Sequence, residues 1–388
     1  MTTLTPSHRQ RKVLHFITRI GGGGAENFLR GLAAAMRDSP WRTVIVAVKV
    51  TPHEAFAGEL RALGCVVHDL DSQALLRPGV WTALRSVIVQ ERPDVVQTWM
   101  HHADLIGGLA AWSAGYHNVV WGVRAMEMHR NPGDSPLKTS LFIKALGWTA
   151  RWLPRTIITN SKGAIPVHEA MGYPSAKFVW IPNGVNSTRF ALRPDVGLQT
   201  RAELGLPAGA PVVGFVGRFH RVKGMDLMLK TAALAQARRP GLHLVLVGGT
   251  KEDLYPAAAE AFATLPHPEQ VRFVPFATAT ERLYPAFSVF SLCSESEAFP
   301  NVVLEAMACG VPCATTDAGD CQAMLKDLGE VVMDRDPQTM AAAWERLLSL
   351  SPADRESLVA RSRERAANEY SMARAAERFE AVYNALSP

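Results

Sequence analysis

The sequence predicts an α/β protein made of two doubly wound domains, each a parallel sheet with helical crossovers. Three observations predict it. Short apolar runs alternate with helix-like stretches along most of the chain, the pattern of parallel strands joined by helices. The alternation is interrupted once, by a polar stretch at 186–210 rich in Pro, Gly and Arg, and then restarts. Each half opens with an apolar run that ends in glycines, Gly21-Gly22-Gly23-Gly24 in the first and Gly214 to Gly224 in the second.

In the first half, 13–18 reads as a buried strand ending at a glycine loop, and 25–36 as the helix after it. A strand at 43–50 and a helix at 55–63 follow, then a short strand at 65–69. The helix at 80–90 is closed by Arg92-Pro93, since the residue before proline avoids helical geometry. Residues 94–98 form a strand, 102–114 a helix, 119–123 a strand and 137–152 a longer helix; 156–159 and 177–181 are further strands. The stretch 186–210 is expected to be a linker.

The second half repeats the order. Strands are expected at 211–216, 242–247, 271–274, 289–292 and 312–315, and helices at 225–236, 254–264 and, short, 281–287. A further helix begins at Phe299-Pro300-Asn301, with proline suited to its first turn, and stops at Gly310 before Val311-Pro312. Helices at 340–350, 355–369 and 372–386 close the chain.

Composition bounds the function. At 388 residues and 48% hydrophobic, the chain can bury sizeable cores, and 20% charged residues with 9 Trp and 15 Phe argue against disorder. Its longest apolar runs, 43–48 and 242–247, are too short to span a bilayer. Arg9, Arg11, Lys12 and Arg19 flank a strand-like run at 13–17 rather than a secretory core, so a cytosolic location is expected. Five cysteines, with no paired metal-ligand spacing among Cys309, Cys313 and Cys321, read as free, buried thiols. Residues 1–190 hold 21 Lys+Arg against 12 Asp+Glu, and residues 191–388 hold 20 against 24. The basic half suits an anionic membrane surface or an acidic substrate. No dense basic cluster interleaved with aromatics is present, and nucleic acid is not an expected partner.

The chemistry is expected beyond the carboxyl ends of the strands, where open α/β sheets bind ligands. The glycine loop before Ala25-Glu26 lets backbone amides approach a phosphate, although a tight turn without a ligand would look the same. It is not a dinucleotide fingerprint: the third glycine position holds Glu26 or Asn27, and the second strand ends in Lys49 rather than an acid, which argues against NAD. In Gly217-Arg218-Phe219-His220-Arg221-Val222-Lys223-Gly224, Arg218 and Lys223 can reach one diphosphate, the first as a planar fork and the second as a point charge. No Ser or Thr follows Lys223, so this is not a Walker loop. The stretch from Ser294 to Gly310 places Glu297 and Glu305 eight positions apart around the expected helix start. That helix start offers free amides to an anion. Glu305 lies among Val302, Val303, Leu304 and Met307, where a carboxylate needs a hydrogen-bonding partner such as a ribose diol.

Together, Glu297 and Glu305, Gly217-Arg218 with Lys223-Gly224, the early glycine loop, and Ile181-Pro182-Asn183-Gly184-Val185 occur in the order seen in glycosyltransferase family 4, which the chain resembles over essentially its whole length. The resemblance implies the GT-B fold, with two Rossmann-like domains facing across a cleft: residues 1–190 for the acceptor and 191–371 for a nucleotide-diphosphate-sugar donor, with helix 372–388 able to pack back on the first. It implies that Arg218 and Lys223 bind the diphosphate, that Glu297 touches the donor sugar and that Glu305 binds the ribose. Backbone groups at Phe299, Pro300, Asn301 and Val302 would hold phosphate or sugar, and Gly23 and Gly24 would approach the diphosphate. The implied chemistry is retaining and uses neither metal nor cofactor. Two cations and a helix N-terminus can stabilise a leaving diphosphate. The donor is expected to be a UDP or GDP sugar.

One departure concerns the acceptor side. Where many members carry a histidine after the fifth strand, this chain has Arg124, in Trp121-Gly122-Val123-Arg124-Ala125-Met126-Glu127. His101, His102 or Arg124 is expected there, with capping or surface roles as the alternative. The helix at 137–152 carries Lys138, Lys144, Arg151, Phe142, Trp148 and Trp152, which suits either a membrane surface or a core-facing helix with a basic outer face. The expected activity is a retaining hexosyltransferase acting on a saccharide or lipid-linked saccharide, in exopolysaccharide or cell-surface glycan synthesis, in contact with the inner face of the membrane. The rivals are a nucleotide-sugar epimerase of the same fold and a non-catalytic sugar-nucleotide-binding regulator.

Overall fold

The structure, a computed structural model, describes residues 10–21, 23–50, 52–72, 77–126, 135–275 and 279–387. Arg9, Gly22, Glu127 and Phe276 lie outside the described residues. The chain divides into two compact units. One runs to Gly184 and resumes at Met372; the other spans Val185–Ser371.

The first unit contains β1 (Arg11–Arg19), α1 (Gly24–Ala35), β2 (Trp41–Lys49), α2 (Glu54–Ala62), β3 (Val66–Asp69), α3 (Pro78–Glu91), β4 (Val95–Trp99), α4 (His101–Ser113), β5 (Val119–Val123), α5 (Pro136–Thr149), β6 (Thr156–Thr159), α6 (Ala164–Ala170) and β7 (Phe178–Trp180). Its parallel sheet has the order β3-β2-β1-β4-β5-β6-β7. Alternation along β1 sends side chains to opposite faces. Val13 and Ile17 enter one core with Phe28, Leu32 and Trp99, while Leu14 and Phe16 enter another with Leu84, Ala110 and Trp121. Such two-sided burial is why these strands read as continuous apolar runs.

The second unit contains α7 (Pro194–Glu203), β8 (Val212–Val216), α8 (Met225–Arg238), β9 (His243–Val247), α9 (Pro256–Ala263), β10 (Val271–Val274), β11 (Val289–Leu292), α10 (Asn301–Ala308), β12 (Cys313–Thr316), α11 (Cys321–Leu325), β13 (Gly329–Val332), α12 (Pro337–Leu348) and α13 (Pro352–Glu369). Its sheet runs β10-β9-β8-β11-β12-β13, also parallel. In each unit the first strand lies beside the fourth, so the chain reverses direction across the sheet at that pair. This is the topological switch point of a doubly wound sheet.

The last helix, α14 (Met372–Leu386), belongs to the first unit. Phe379 is fully buried, with its ring centroid 5.9 Å from that of Phe28 and stacked 6.2 Å from that of Trp99. The Trp41 indole N–H donates to Asn384 Oδ1 at 3.0 Å. All five cysteines are free and buried.

Several sequence expectations shift. The stretch 186–210 is not a linker, because α7 packs within the second unit. Its Arg201 guanidinium donates to the carbonyls of Ala286 and Ala210 and to Ser288 Oγ, so its polarity serves internal backbone groups rather than solvent. The boundary expected after 190 falls at Gly184, since the Val185 N–H donates to the Tyr370 carbonyl at 2.7 Å and Phe190 lies in the second core. The short helix expected at 281–287 is two 3-10 turns, Thr280–Arg282 and Tyr284–Ala286. Sequence reading missed α6, α11 and β13. The first carries Pro166 in its interior, and the other two are very short.

Removing the Phe379 ring leaves a cavity beneath α14. Phe379→Ala is expected to destabilise the first unit by about 3–5 kcal/mol, read as a lower urea midpoint of unfolding; an unchanged midpoint would show that α14 contributes little to this core.

Candidate functional site

In the second unit, the loops leaving β8 and β11 diverge at the switch point, and backbone contacts fix them to each other. The Glu295 N–H donates to the Val222 carbonyl at 2.8 Å. Gly224 has φ 66°, and a Cβ there would strike the Cys293 carbonyl oxygen, so glycine is required on both counts. From the other side, Thr316 Oγ1 donates to the Ser294 carbonyl at 2.6 Å, and Arg335 to that of Cys293 at 2.9 Å. Gly319, at φ 60°, lies so close to the carbonyls of Glu297 and Ala298 that no side chain fits. The segment carrying Glu297 is therefore held by groups from three elements.

That framework brings Lys223 and Glu297 together. Lys223 Nζ lies 2.5 Å from Glu297 Oε1, and Ser294 Oγ donates to the same oxygen at 2.7 Å. Both charged side chains are partly exposed, which leaves them accessible to a ligand. Arg218, on the same loop, is exposed. The site thus has two cations and one carboxylate at the carboxyl ends of adjacent central strands, a charge pattern suited to a ligand with both phosphate and hydroxyl groups.

The start of α10 falls within the expected Phe299-Pro300-Asn301, but proline is not in its first turn. Pro300 is the residue capping the helix, and Asn301 begins it. The Val303 and Leu304 N–H groups donate to the Pro300 carbonyl, and that of Asn301 donates to Phe299, which narrows the expected anion cradle. The Phe299 side chain is buried against Tyr370, so only its backbone can meet a ligand. The Gly310 stop is as read: φ is 74°, and the Val311 N–H returns to the Ala306 carbonyl.

Glu305 sits in α10, while Glu297 lies before it in the loop, so the two acids do not share a helix face. The buried Tyr284 hydroxyl donates to Glu305 Oε2 at 2.6 Å. Burial pushes the Glu305 carboxyl up to about 7, against the opposing pull of Tyr284 and the Arg189 charge. Sequence reading missed Tyr284, which comes from a distant turn; Ser294, three residues before Glu297, was within the motif.

In the first unit, Gly23 and Gly24 lie exposed where β1 passes into α1, and neither has positive φ. Across the switch point, Asp104 pins the start of α4: its Oδ1 accepts from Thr98 Oγ1 at 2.6 Å and from the Gly122 N–H at 3.1 Å, and burial pushes its carboxyl up to about 7. His101 is buried and stacked on His168, their Nε2 atoms 2.8 Å apart. The His168 Nδ1–H donates to the Ala164 carbonyl, so His168 Nε2 accepts and His101 Nε2–H donates. Burial pushes His101 down to about 3, keeping it neutral. His102 is exposed and stacked on Phe142, with ring centroids 4.6 Å apart. Arg124 turns inward. Its guanidinium lies 4.3 Å from the Phe28 ring centroid, 4.8 Å from that of Trp99 and 5.5 Å from that of Phe379, and it donates to Asn183 Oδ1 at 2.5 Å. Its Nε and second terminal nitrogen are buried without a hydrogen-bond partner, so ring faces are the main compensation for this charge.

Comparison with known proteins follows this architecture. Residues 210–350 match the family described as Glycosyl transferases group 1, and residues 22–189 match Glycosyltransferase Family 4. The D-inositol 3-phosphate glycosyltransferase of Nocardia farcinica is 32% identical over 212 residues, covering 53% of this chain and 46% of that protein; the chain thus spans about half the length of such relatives. The protein of the same name from Nocardiopsis dassonvillei is 30% identical over 325 residues, 75% of this chain and 71% of that one. Among solved structures, Anabaena Alr3699/HepE in complex with UDP-glucose superposes with a TM-score of 0.80 at 20% identity, covering 96% of this chain and 99% of that one. Sharing this fold, and matched to a relative over most of both sequences, the chain belongs to glycosyltransferase family 4 and has the GT-B architecture of two parallel-sheet α/β domains.

Proposed function

We propose that the protein is a retaining glycosyltransferase that moves a sugar from a nucleotide-diphosphate sugar to a saccharide acceptor, free or lipid-linked, in exopolysaccharide or cell-surface glycan synthesis. The observation that carries this reading is the Lys223–Glu297 pair at the switch point of the second sheet, with Arg218 beside it on the same loop. Lys223 and Arg218 bind the diphosphate and stabilise the charge that develops as it leaves. Glu297 accepts hydrogen bonds from hydroxyls of the donor sugar, and Ser294 holds its carboxylate in place. The leaving phosphate oxygen takes the proton of the acceptor hydroxyl as that hydroxyl attacks the anomeric carbon. The two protein cations supply the charge stabilisation, and the reading invokes no metal. The second unit holds the donor and the first the acceptor. A UDP sugar is the favoured donor, supported by the ligand of the Anabaena structure, with a GDP sugar next. The acceptor is held near His102, the exposed member of the three acceptor-side candidates. The site of action is the cytoplasmic side of the cell, at the inner face of the membrane.

Glu305 holds the ribose, and this gives a pH dependence. Its folded value of about 7 lies above the ordinary carboxylate range. The protonated form is therefore favoured by folding, and this contribution is full below the unfolded value and lost as pH rises through about 7. A ribose diol donates to the ionised form. Donor affinity should therefore rise with pH and level off above about 7, with binding roughly tenfold weaker one unit below that value. A nucleotide-diphosphate sugar is the right probe, because its phosphates do not titrate in this range. Glu305→Gln should flatten the profile; an identical pH profile in the variant would remove Glu305 from the ribose site.

Arg218→Ala, Lys223→Ala and Glu297→Ala should each lower turnover at least about tenfold. Undiminished turnover in all three would overturn the site assignment. Analysis of products with and without acceptor separates transfer from epimerisation: the transferase yields a glycosylated acceptor with retained anomeric configuration, whereas an isomerised nucleotide sugar formed without acceptor would contradict the reading.

A further inference from the structure

Helix α5 has two apolar faces. Leu146 is buried with Trp121 and Ile157, and this face fixes the helix to the first unit. The opposite row, at i, i+4, i+7 and i+11, is Leu137, Leu141, Lys144 and Trp148, and its apolar members are open: Leu137 is 69% exposed, Leu141 57% and Trp148 64%. Trp152 follows at 40% and Trp112, near the end of α4, at 50%. The three indoles touch edge to face, with Trp148 and Trp152 centroids 5.4 Å apart and those of Trp112 and Trp152 5.7 Å apart. Lys177 Nζ donates to the carbonyls of Ala150, Arg151 and Pro154 at 2.7–3.0 Å, which fixes the turn carrying Trp152.

This outer face contributes little to folding the unit, and contiguous exposed apolar groups mark interaction surfaces. Its charge identifies the partner. Lys138, Lys144, Arg151 and Arg155 are exposed among these residues, and positions 135–155 contain no acidic residue. Lysine is depleted at the cores of protein interfaces. A few scattered cations around three indoles instead suit the boundary of an anionic bilayer, where the rings sit at headgroup level and the cations meet phosphate. Among the described residues no helix is long and apolar enough to cross a membrane, so the contact is peripheral.

We propose that Trp112, Trp148 and Trp152, with Lys138, Lys144, Arg151 and Arg155, form a docking face for an anionic lipid surface. The proposal deepens the function above by giving the membrane contact a location, and it rests on that reading only for its biological meaning, since vesicle binding does not require catalysis.

The test is flotation of the full chain with phosphatidylcholine vesicles, with and without phosphatidylglycerol. Retention is expected on the anionic vesicles only, with a blue shift of indole emission and release at high salt. Trp148→Ala and the double variant Lys138→Glu/Lys144→Glu should each lower retention at least about fivefold. Both should leave the circular dichroism spectrum and turnover on a soluble acceptor unchanged, because all three positions are exposed. Absence of retention on anionic vesicles, or retention indifferent to both variants, overturns the proposal. So does a concentration-dependent dimer in sedimentation that Trp148→Ala abolishes, because a second copy would then cover this face. A chain that binds vesicles but transfers no sugar contradicts the enzymatic reading and leaves this one standing.

Discussion

A parallel sheet that is wound outward in both directions from its first strand must leave two loops diverging at the point of reversal. In the second unit that point lies between β8 and β11, and the site depends on it. Neither loop closes over its neighbour, so side chains from both can project into the same space. The local chemistry then keeps the two loops in register. Gly224 and Gly319 let backbone pass against backbone, Thr316 and Arg335 bind the carbonyls of Ser294 and Cys293, and the Glu295 amide reaches the Val222 carbonyl. Lys223 and Glu297 meet because everything beneath them is fixed, and a partly exposed ion pair alone would supply little of that order.

Within the pair, opposite charges at 2.5 Å neutralise one another. In the functional reading, donor binding exchanges partners: the ammonium turns to phosphate, and the carboxylate to sugar hydroxyls. The second acid works differently. Among the described residues, Glu305 has no ion-pair partner like that of Glu297; burial pushes its carboxyl up to about 7, with Tyr284 as its hydrogen-bond donor. Two glutamates eight residues apart thus acquire different electrostatic characters from their surroundings.

The alternation of apolar runs and helix-like stretches made both sheets legible, because strands buried on two faces leave a continuous apolar signature. The placement of Lys223 and Glu297 was also legible, since each lies in a short loop after a recognisable strand. What stayed hidden depends on long-range contact. Arg124 follows a strand end and looks in sequence like a group facing ligand, yet Phe28, Trp99, Phe379 and Asn183 enclose it from four separate segments. His101 is withdrawn by His168 in the same way. Polarity misled at 186–210, where Arg201 serves buried carbonyls rather than solvent. At the start of α10, Pro300 is the capping residue rather than a member of the first turn, a distinction that only the geometry makes.

The central claim is that Lys223 and Glu297 act as one unit at the donor site. A double-mutant cycle tests it most directly, with nucleotide-sugar affinity measured by calorimetry for the wild type, Lys223→Ala, Glu297→Ala and the double variant. The account predicts a coupling of about 0.5–3 kcal/mol between the two positions. Strictly additive effects, or no effect of either substitution on donor affinity, would contradict it.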